Sequence, residues 1–242
     1  MPGLPHVLDR PEPTIAAPFT SSNEVLSATG YKGNVDVAEL RADFFPDGDY
    51  VAAAAHLLRV HMPVLLTPRH TSEAGGRGGI SDDGRRIKIY EGNAANVDGM
   101  DVEIRSAICH DVIDLAHAAG GVAIASFHNF ETTPELSELD ELLDEGLGTE
   151  ADCVKFALRA NSWDDLCRQA EFLLANREYP LIMVAMDNPE LEIPTRFGAI
   201  SRSIFSFLGS RMIYAALAQV VAPGQLSAAD QAEIFRLMGV RV

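Results

Sequence analysis

Cysteine is scarce in this chain of 242 residues: Cys109, Cys153 and Cys167 are the only three. They form no CxxC pair, which excludes a disulfide framework and leads us to expect reduced thiols in a cytoplasmic protein. The three cysteines and seven histidines do not cluster at metal-ligand spacing, so no metal is expected. Basic residues are few, with 19 Lys and Arg against 35 Asp and Glu and a formal net charge of −16. That deficit argues against nucleic acid or an anionic membrane as a partner. An anionic small-molecule substrate would then need individual arginines that create a positive site within a repelling envelope. No apolar run approaches the roughly 20 residues of a membrane-spanning helix. The opening Met-Pro-Gly-Leu-Pro-His lacks the basic, apolar, then small-residue order of a signal peptide. No GxGxxG follows the first expected strand, and Glu73-Ala-Gly-Gly-Arg-Gly-Gly-Ile80 has no Gly-Lys-Ser/Thr after it. Neither a dinucleotide fold nor a P-loop is therefore indicated.

What is present is a chain able to build a core, with 47% hydrophobic and 22% charged residues. Short apolar runs at 14–19, 35–43, 63–67, 100–104, 122–127, 152–158, 181–186 and 211–216 read as strands. Amphipathic stretches at 22–28, 49–61, 104–119, 134–145, 162–176, 200–208 and 227–238 read as helices. Ser227 is a suitable N-cap, and Pro134 suits the first turn of its helix. Strands alternating with helices predict a parallel sheet. At this length, a single (β/α)8 TIM barrel over residues 1–242 is favoured over an open doubly wound sheet. No repeat, low-complexity linker or domain boundary interrupts it.

Lys155 is the most informative residue. It lies in Cys153-Val-Lys-Phe-Ala-Leu158, an apolar run in which an ammonium ion must be paired, reach water or lose its proton. A deprotonated lysine is a nucleophile able to form a Schiff base with a ketone, whereas a strand-end lysine merely snorkels to solvent. In a barrel, functional residues gather at the C-terminal ends of the strands. Glu39 and Arg41 are two apart, which places both on one face of the second strand, as an ion pair or as ligand-binding groups. Arg69 follows the third strand and Glu73 lies in the loop beyond it. His128 ends the fifth run, as a core histidine or as an acid–base. Arg202 near a helix start reads as a surface cation or an anion holder. Gln225 beside Pro-Gly reads as a loop amide or a ligand contact. Together they supply an amine, an imidazole, a carboxylate to orient it and arginines for an anion. That set suits Schiff-base chemistry on a carboxylated ketone.

With these residues in place, the chain resembles type I 3-dehydroquinate dehydratase, the Schiff-base-forming dehydroquinase of the shikimate pathway. The matching segments are Glu39-Leu-Arg-Ala-Asp43, Thr67-Pro-Arg-His-Thr-Ser-Glu-Ala-Gly-Gly76, Ser126-Phe-His-Asn-Phe130 with Thr133-Pro134, Asp152-Cys-Val-Lys155, Ile200-Ser-Arg202 and Ala222-Pro-Gly-Gln225. They run in family order across nearly the whole chain. The resemblance implies a (β/α)8 barrel, a homodimer, no metal or organic cofactor, and loss of water from 3-dehydroquinate to give 3-dehydroshikimate. By the same resemblance Lys155 is the Schiff-base lysine, His128 the general acid–base and Glu73 the carboxylate orienting it. Arg202 then holds the substrate carboxylate, and Glu39, Arg41, Arg69 and Gln225 surround the ring. A class I aldolase-like lyase and a non-catalytic barrel that binds carboxylated polyols are the alternatives. The chain departs from the pattern at Ala74, which intervenes before Gly75-Gly76, and at Val221, where the family often has serine. It also has Asn129 where aspartate is common. The segment from Asp187 to Phe197 is longer than the usual link, and an extra lip over the barrel mouth is expected there.

Overall fold

The computed structural model describes residues 4–10, 12–46, 48–191 and 196–240. After an N-terminal helix α1 (Leu4–Asp9) the chain alternates strand and helix. The strands are β1 (Ile15–Phe19), β2 (Val37–Leu40), β3 (Val64–Leu66), β4 (Gly99–Glu103), β5 (Val122–Asn129), β6 (Cys153–Ala160), β7 (Leu181–Asp187) and β8 (Ile213–Tyr214). Helices α2 (Ser22–Leu26) and α3 (Ala28–Tyr31) follow β1. Then come α4 (Asp49–Arg59), α5 (Asp83–Asn93), α6 (Cys109–Ala118), α7 (Leu136–Gly148), α8 (Trp163–Ala175), α9 (Phe197–Leu208) and α10 (Ala228–Leu237). The strands form one parallel sheet in the order β7-β6-β5-β4-β3-β2-β1-β8. Its two edges meet where the Arg211 N–H donates to the Leu181 carbonyl at 2.8 Å and the Met183 N–H donates to Ser210 Oγ at 3.0 Å. The expected (β/α)8 barrel is thus the observed architecture.

Strand side chains alternate between the barrel interior and the helix layer. Along β6, Val154, Phe156 and Leu158 pack outward with α7 and α8 residues such as Leu142, Leu143, Phe172 and Leu173. Cys153 turns inward to a low apolar layer with Ala16, Val37, Leu65, Ile124 and Ile182. Helix α1 plugs this end through Leu4 and Leu8. Gly99 is required there, because a Cβ on it would lie 2.7 Å from both Leu4 Cδ2 and the Val122 carbonyl oxygen. Two residues further along their strands come Glu39, Asp101, Ser126 and Lys155, all buried. The interior therefore changes from apolar below to polar above within one pleat.

Several boundaries differ from the sequence pattern, each for a local reason. The second strand ends at Leu40 rather than 43, because residues Ala42–Phe44 turn into a 3-10 segment. The fourth connection is a turn before α6 starts at Cys109, and α9 starts at Phe197 rather than 200. Pro134 precedes the N-cap Glu135 of α7 instead of sitting in its first turn. Ser227 caps α10 as expected, its side chain accepting from the Asp230 N–H.

The larger difference is α5, for which the sequence pattern assigns no helix. Its glycines and charges (Asp83-Gly-Arg-Arg-Ile-Lys-Ile-Tyr-Glu-Gly-Asn93) hide the apolar stripe of Ile89 and Tyr90. Asp82 caps it by accepting from the Arg85 N–H. Arg86 within it is fully buried. Its Nε donates to the Pro68 carbonyl at 2.9 Å, and its NH1 donates to Asp83 at 2.7 Å and to Ser106 Oγ at 3.2 Å. Its NH2 is bound to Glu103 of β4. Removing one partner of a buried ion pair leaves the other uncompensated, at a cost of roughly 3–5 kcal/mol. Arg86→Leu is accordingly expected to destabilise the fold by about that amount, read as a lowered urea midpoint; an unchanged midpoint would contradict the pairing.

Candidate active site

Lys155 sits midway along β6, pointing into the barrel and only 3% exposed. Its Nζ donates to Asp101 Oδ2 at 2.8 Å and lies 3.5 Å from Glu39 Oε1. The Tyr214 ring completes the enclosure, its centroid 4.1 Å from Nζ. The side chain does not snorkel. Its nearest charges are carboxylates, the partners that a buried ammonium requires.

Asp101 is held from its other oxygen as well. Arg69 NH2 donates to Oδ1 at 2.6 Å and the Ser126 hydroxyl at 2.8 Å. Burial alone would raise this carboxyl, but Arg69 and then Lys155 outweigh it and hold it well below the usual carboxylate range. Arg69 NH1 donates to Glu103 Oε1 at 3.0 Å and to Ser126 Oγ at 2.8 Å. The terminal nitrogens of Arg69 are thus engaged by protein groups, although its side chain still borders the pocket.

His128 lies on β5, two residues beyond Ser126, whose register partner is Lys155. Glu73 reaches it from the loop after β3. Glu73 Oε2 accepts the His128 backbone N–H at 2.8 Å and meets Nδ1 at 3.0 Å. Burial pushes the Glu73 carboxyl up to about 8, against the lowering effect of Arg69. Burial, followed by Arg69 and Lys155, pushes the His128 imidazole well below its ordinary value. Glu73 thus orients His128 through Nδ1, with burial raising the carboxyl and lowering the imidazole. Nε2 has no protein partner among the described residues.

Arg202, in the second turn of α9, is 1% exposed, not a surface cation. Its Nε donates to the Tyr214 carbonyl at 2.8 Å, and its NH1 donates to the Ala185 and Gly198 carbonyls, each at 2.9 Å. No carboxylate pairs with it among the described residues, and burial lowers its pKa to about 10. Among the described residues only NH2 is left without a partner. Gln225 uses Oε1 to accept the Val221 and Ala222 N–H groups at 3.0 and 3.2 Å, leaving its amide NH2 for a ligand. Arg41 and Glu39 do not pair with each other. Arg41 forms a two-point contact with Asp43 at 2.9 and 2.7 Å and lies over the Phe44 ring.

All eight expected residues border one pocket, with Ala74, Phe130, Ala157, Val184, Met186, Tyr214, Val221 and Ala222. An ammonium, an acid–base pair and an unpaired guanidinium converge there under a partly apolar wall. This arrangement can attack a carbonyl, move protons beside it and hold an anion.

The family model of type I 3-dehydroquinase matches residues 18–242. The chain belongs to that family. A 3-dehydroquinate dehydratase of Aquifex aeolicus is 31% identical, over 91% of this chain and 96% of its own length. One from Thermodesulfovibrio yellowstonii is 29% identical, over 85% and 87%. The solved structure of the Aquifex aeolicus enzyme superposes with a TM-score of 0.77 at 27% identity, covering 93% of this chain and 98% of that one. The Geobacillus kaustophilus enzyme structure shares the fold, with a TM-score of 0.81 at 24% identity and coverage of 94% and 91%.

The departures from the dehydroquinase pattern can now be placed. Ala74 is buried at the end of the 3-10 turn that carries Glu73 and does not prevent Glu73 from reaching His128. Gly75 follows with φ +58°, and a Cβ on it would lie 2.4 Å from the Phe130 ring. Val221 turns an apolar side chain to the pocket, so the hydroxyl common in the family is absent from that wall. Asn129 closes a turn, its Oδ1 accepting the Glu131 and Thr132 N–H groups. Of the long segment after Asp187, residues 192–195 lie outside the described residues, and with them the expected lip. Sequence reasoning missed Asp101, Glu103, Ser126 and Tyr214. Asp101 and Glu103 lie two apart in an apolar strand, the same signal that drew attention to Glu39 and Arg41.

The elevated carboxyl of Glu73 has a pH consequence. A raised folded pKa means that the folded protein binds this proton more tightly than the unfolded chain. Its stabilising contribution is present below the unfolded value of about 4.3 and is lost as pH rises through about 8. Glu73→Gln cannot ionise, so it should lose less stability than the parent between pH 5 and pH 9, measured as the shift in urea midpoint. Equal losses would contradict the assignment.

Proposed function

We propose that this chain is a 3-dehydroquinate dehydratase, a carbon–oxygen lyase that removes water from 3-dehydroquinate to give 3-dehydroshikimate through a Schiff base on Lys155. The observation that carries this reading is a buried lysine sharing one pocket with an imidazole–carboxyl pair and a guanidinium lacking an anion. Family membership favours it over an aldolase-like lyase or a non-catalytic barrel.

The substrate carboxylate meets Arg202 NH2, which sets the ring relative to Lys155. Lys155 adds to the ketone, giving a carbinolamine and then an iminium. The ammonium sheds one proton to solvent as it adds. His128, at the pocket face of the Glu73 pair, can give a proton to the departing oxygen while the Glu73 proton shifts to Nδ1. That transfer leaves Nε2 as a base. The iminium acidifies the neighbouring C–H, His128 takes that proton, and an enamine forms. The enamine expels the β-hydroxyl, which leaves as water with the proton held on His128. Water then hydrolyses the product iminium and frees Lys155, and the His128–Glu73 pair regains a proton from solvent. One imidazole serving both proton transfers fits an elimination on a single face of the ring. Glu39, Arg41 and the Gln225 amide are assigned to the ring hydroxyls, and Arg69 to the carboxylates beneath them. No resident metal or cofactor is assigned.

The same reading takes the protein as a cytoplasmic homodimer, as the resemblance implies. Free cysteines at Cys109, Cys153 and Cys167 suit a reducing compartment. The exposed apolar side chains Ile204, Phe207, Leu237 and Met238 offer α9 and α10 for self-association. No helix of the described residues is long and apolar enough to cross a membrane.

Incubation with 3-dehydroquinate and borohydride should trap a reduced adduct, and peptide mass analysis should locate it at Lys155. Lys155→Ala is expected to abolish turnover while the fold persists. His128→Ala should retain adduct formation but lose about 10²–10⁴-fold in kcat. Trapping at another residue, or turnover by Lys155→Ala, would overturn the covalent role.

A further inference from the structure

The nitrogen of Lys155 begins the proposed cycle as a cation and carries positive charge again in each iminium. A group that accompanies that charge must touch Nζ, stay ionised and not be carried off by substrate. Asp101 meets these demands. Its Oδ2 is 2.8 Å from Nζ, its Oδ1 is fixed by Arg69 at 2.6 Å and Ser126 at 2.8 Å, and it is 1% exposed. Every other charged or titratable neighbour is less suited. Glu39 stands at 3.5 Å and is held by Thr67 Oγ1 at 3.4 Å. Tyr214 offers only its ring face. His128 is engaged with Glu73, and Glu103 with Arg69 and Arg86. Cys153 lies one pleat lower on the same strand.

We propose that Asp101 is a catalytic residue of this site, the permanent counter-ion of the Lys155 nitrogen as ammonium and as iminium, with Arg69 and Ser126 as positioning residues that aim its free oxygen. The inference rests on the Schiff-base reading. An iminium N–H bound to a fixed carboxylate is held in one orientation, which sets the plane in which the neighbouring C–H faces His128. An acceptor fixed by two donors is also a weak base, so it stabilises the cation without taking its proton.

The test is the pH dependence of borohydride trapping with 3-dehydroquinate, alongside kcat. Asp101→Asn removes the counter-charge and leaves Arg69 beside the amine. The pH at which trapping reaches half its maximum should fall by one unit or more, and kcat should drop at least about 100-fold. Ser126→Ala keeps the carboxylate but removes a donor from Oδ1, so Asp101 should hold the ammonium more tightly and the same midpoint should rise by a few tenths of a unit. A merely structural role would lower the amount trapped without moving either midpoint. Unmoved midpoints, or a fall in Ser126→Ala, would overturn the proposal; should Asp101→Asn fail to fold, the sign of the Ser126→Ala shift decides alone. If the parent protein gives no adduct on Lys155, the covalent reading itself fails, a result distinct from either.

Discussion

A buried ammonium must have an anion within the barrel, and much of the interior follows from that requirement. Lys155 is answered by Asp101 and Glu39. Asp101 in turn needs Arg69, Arg69 also binds Glu103, and Glu103 reaches Arg86 of α5. The chain of contacts ends with as many arginine and lysine cations as carboxylates and runs from the centre of the barrel to a helix outside it. Each charge is affordable in low dielectric only because the next is present. The position of α5 is therefore tied electrostatically to the geometry at the lysine.

Above this neutralised layer the pattern reverses, with polar groups left short of partners. Arg202 has spent Nε and NH1 on carbonyls and keeps NH2; His128 has spent Nδ1 and keeps Nε2; Gln225 has spent its oxygen and keeps its amide nitrogen. These remaining groups border one pocket. Their convergence depends on close backbone approach, since a Cβ on Gly198 would lie 2.6 Å from Gly224 Cα. The helix bearing Arg202 and the turn bearing Gln225 meet through those two glycines. The glycine-rich loop after β3 is fastened across the mouth by Arg77, whose NH1 donates to the Val220 carbonyl at 2.7 Å. Its glycines serve backbone turns rather than phosphate binding.

Strand identity was readable because burial on both faces of a parallel strand leaves a short, nearly unbroken apolar run. All eight expected runs overlap an observed strand. The polar residues that interrupt such a run were readable for the same reason, as Lys155 and His128 illustrate. Helix α5 was not readable, because its buried face includes Arg86, whose burial makes sense only once Glu103 is opposite it. Asp101 was overlooked because a carboxylate at a strand position does not disclose its partner, and Lys155 lies 54 residues away in sequence.

The order of the strands, the end of each strand that carries chemistry and the residue types at the pocket follow from the sequence by itself, since the pleat period is a local property. Protonation and pairing were decided by the tertiary structure. Closing the barrel set carboxylates around Lys155, buried Arg202 and brought Glu73 against His128. Those outcomes depend on burial and on contacts between distant segments, and neither exists until the chain has folded.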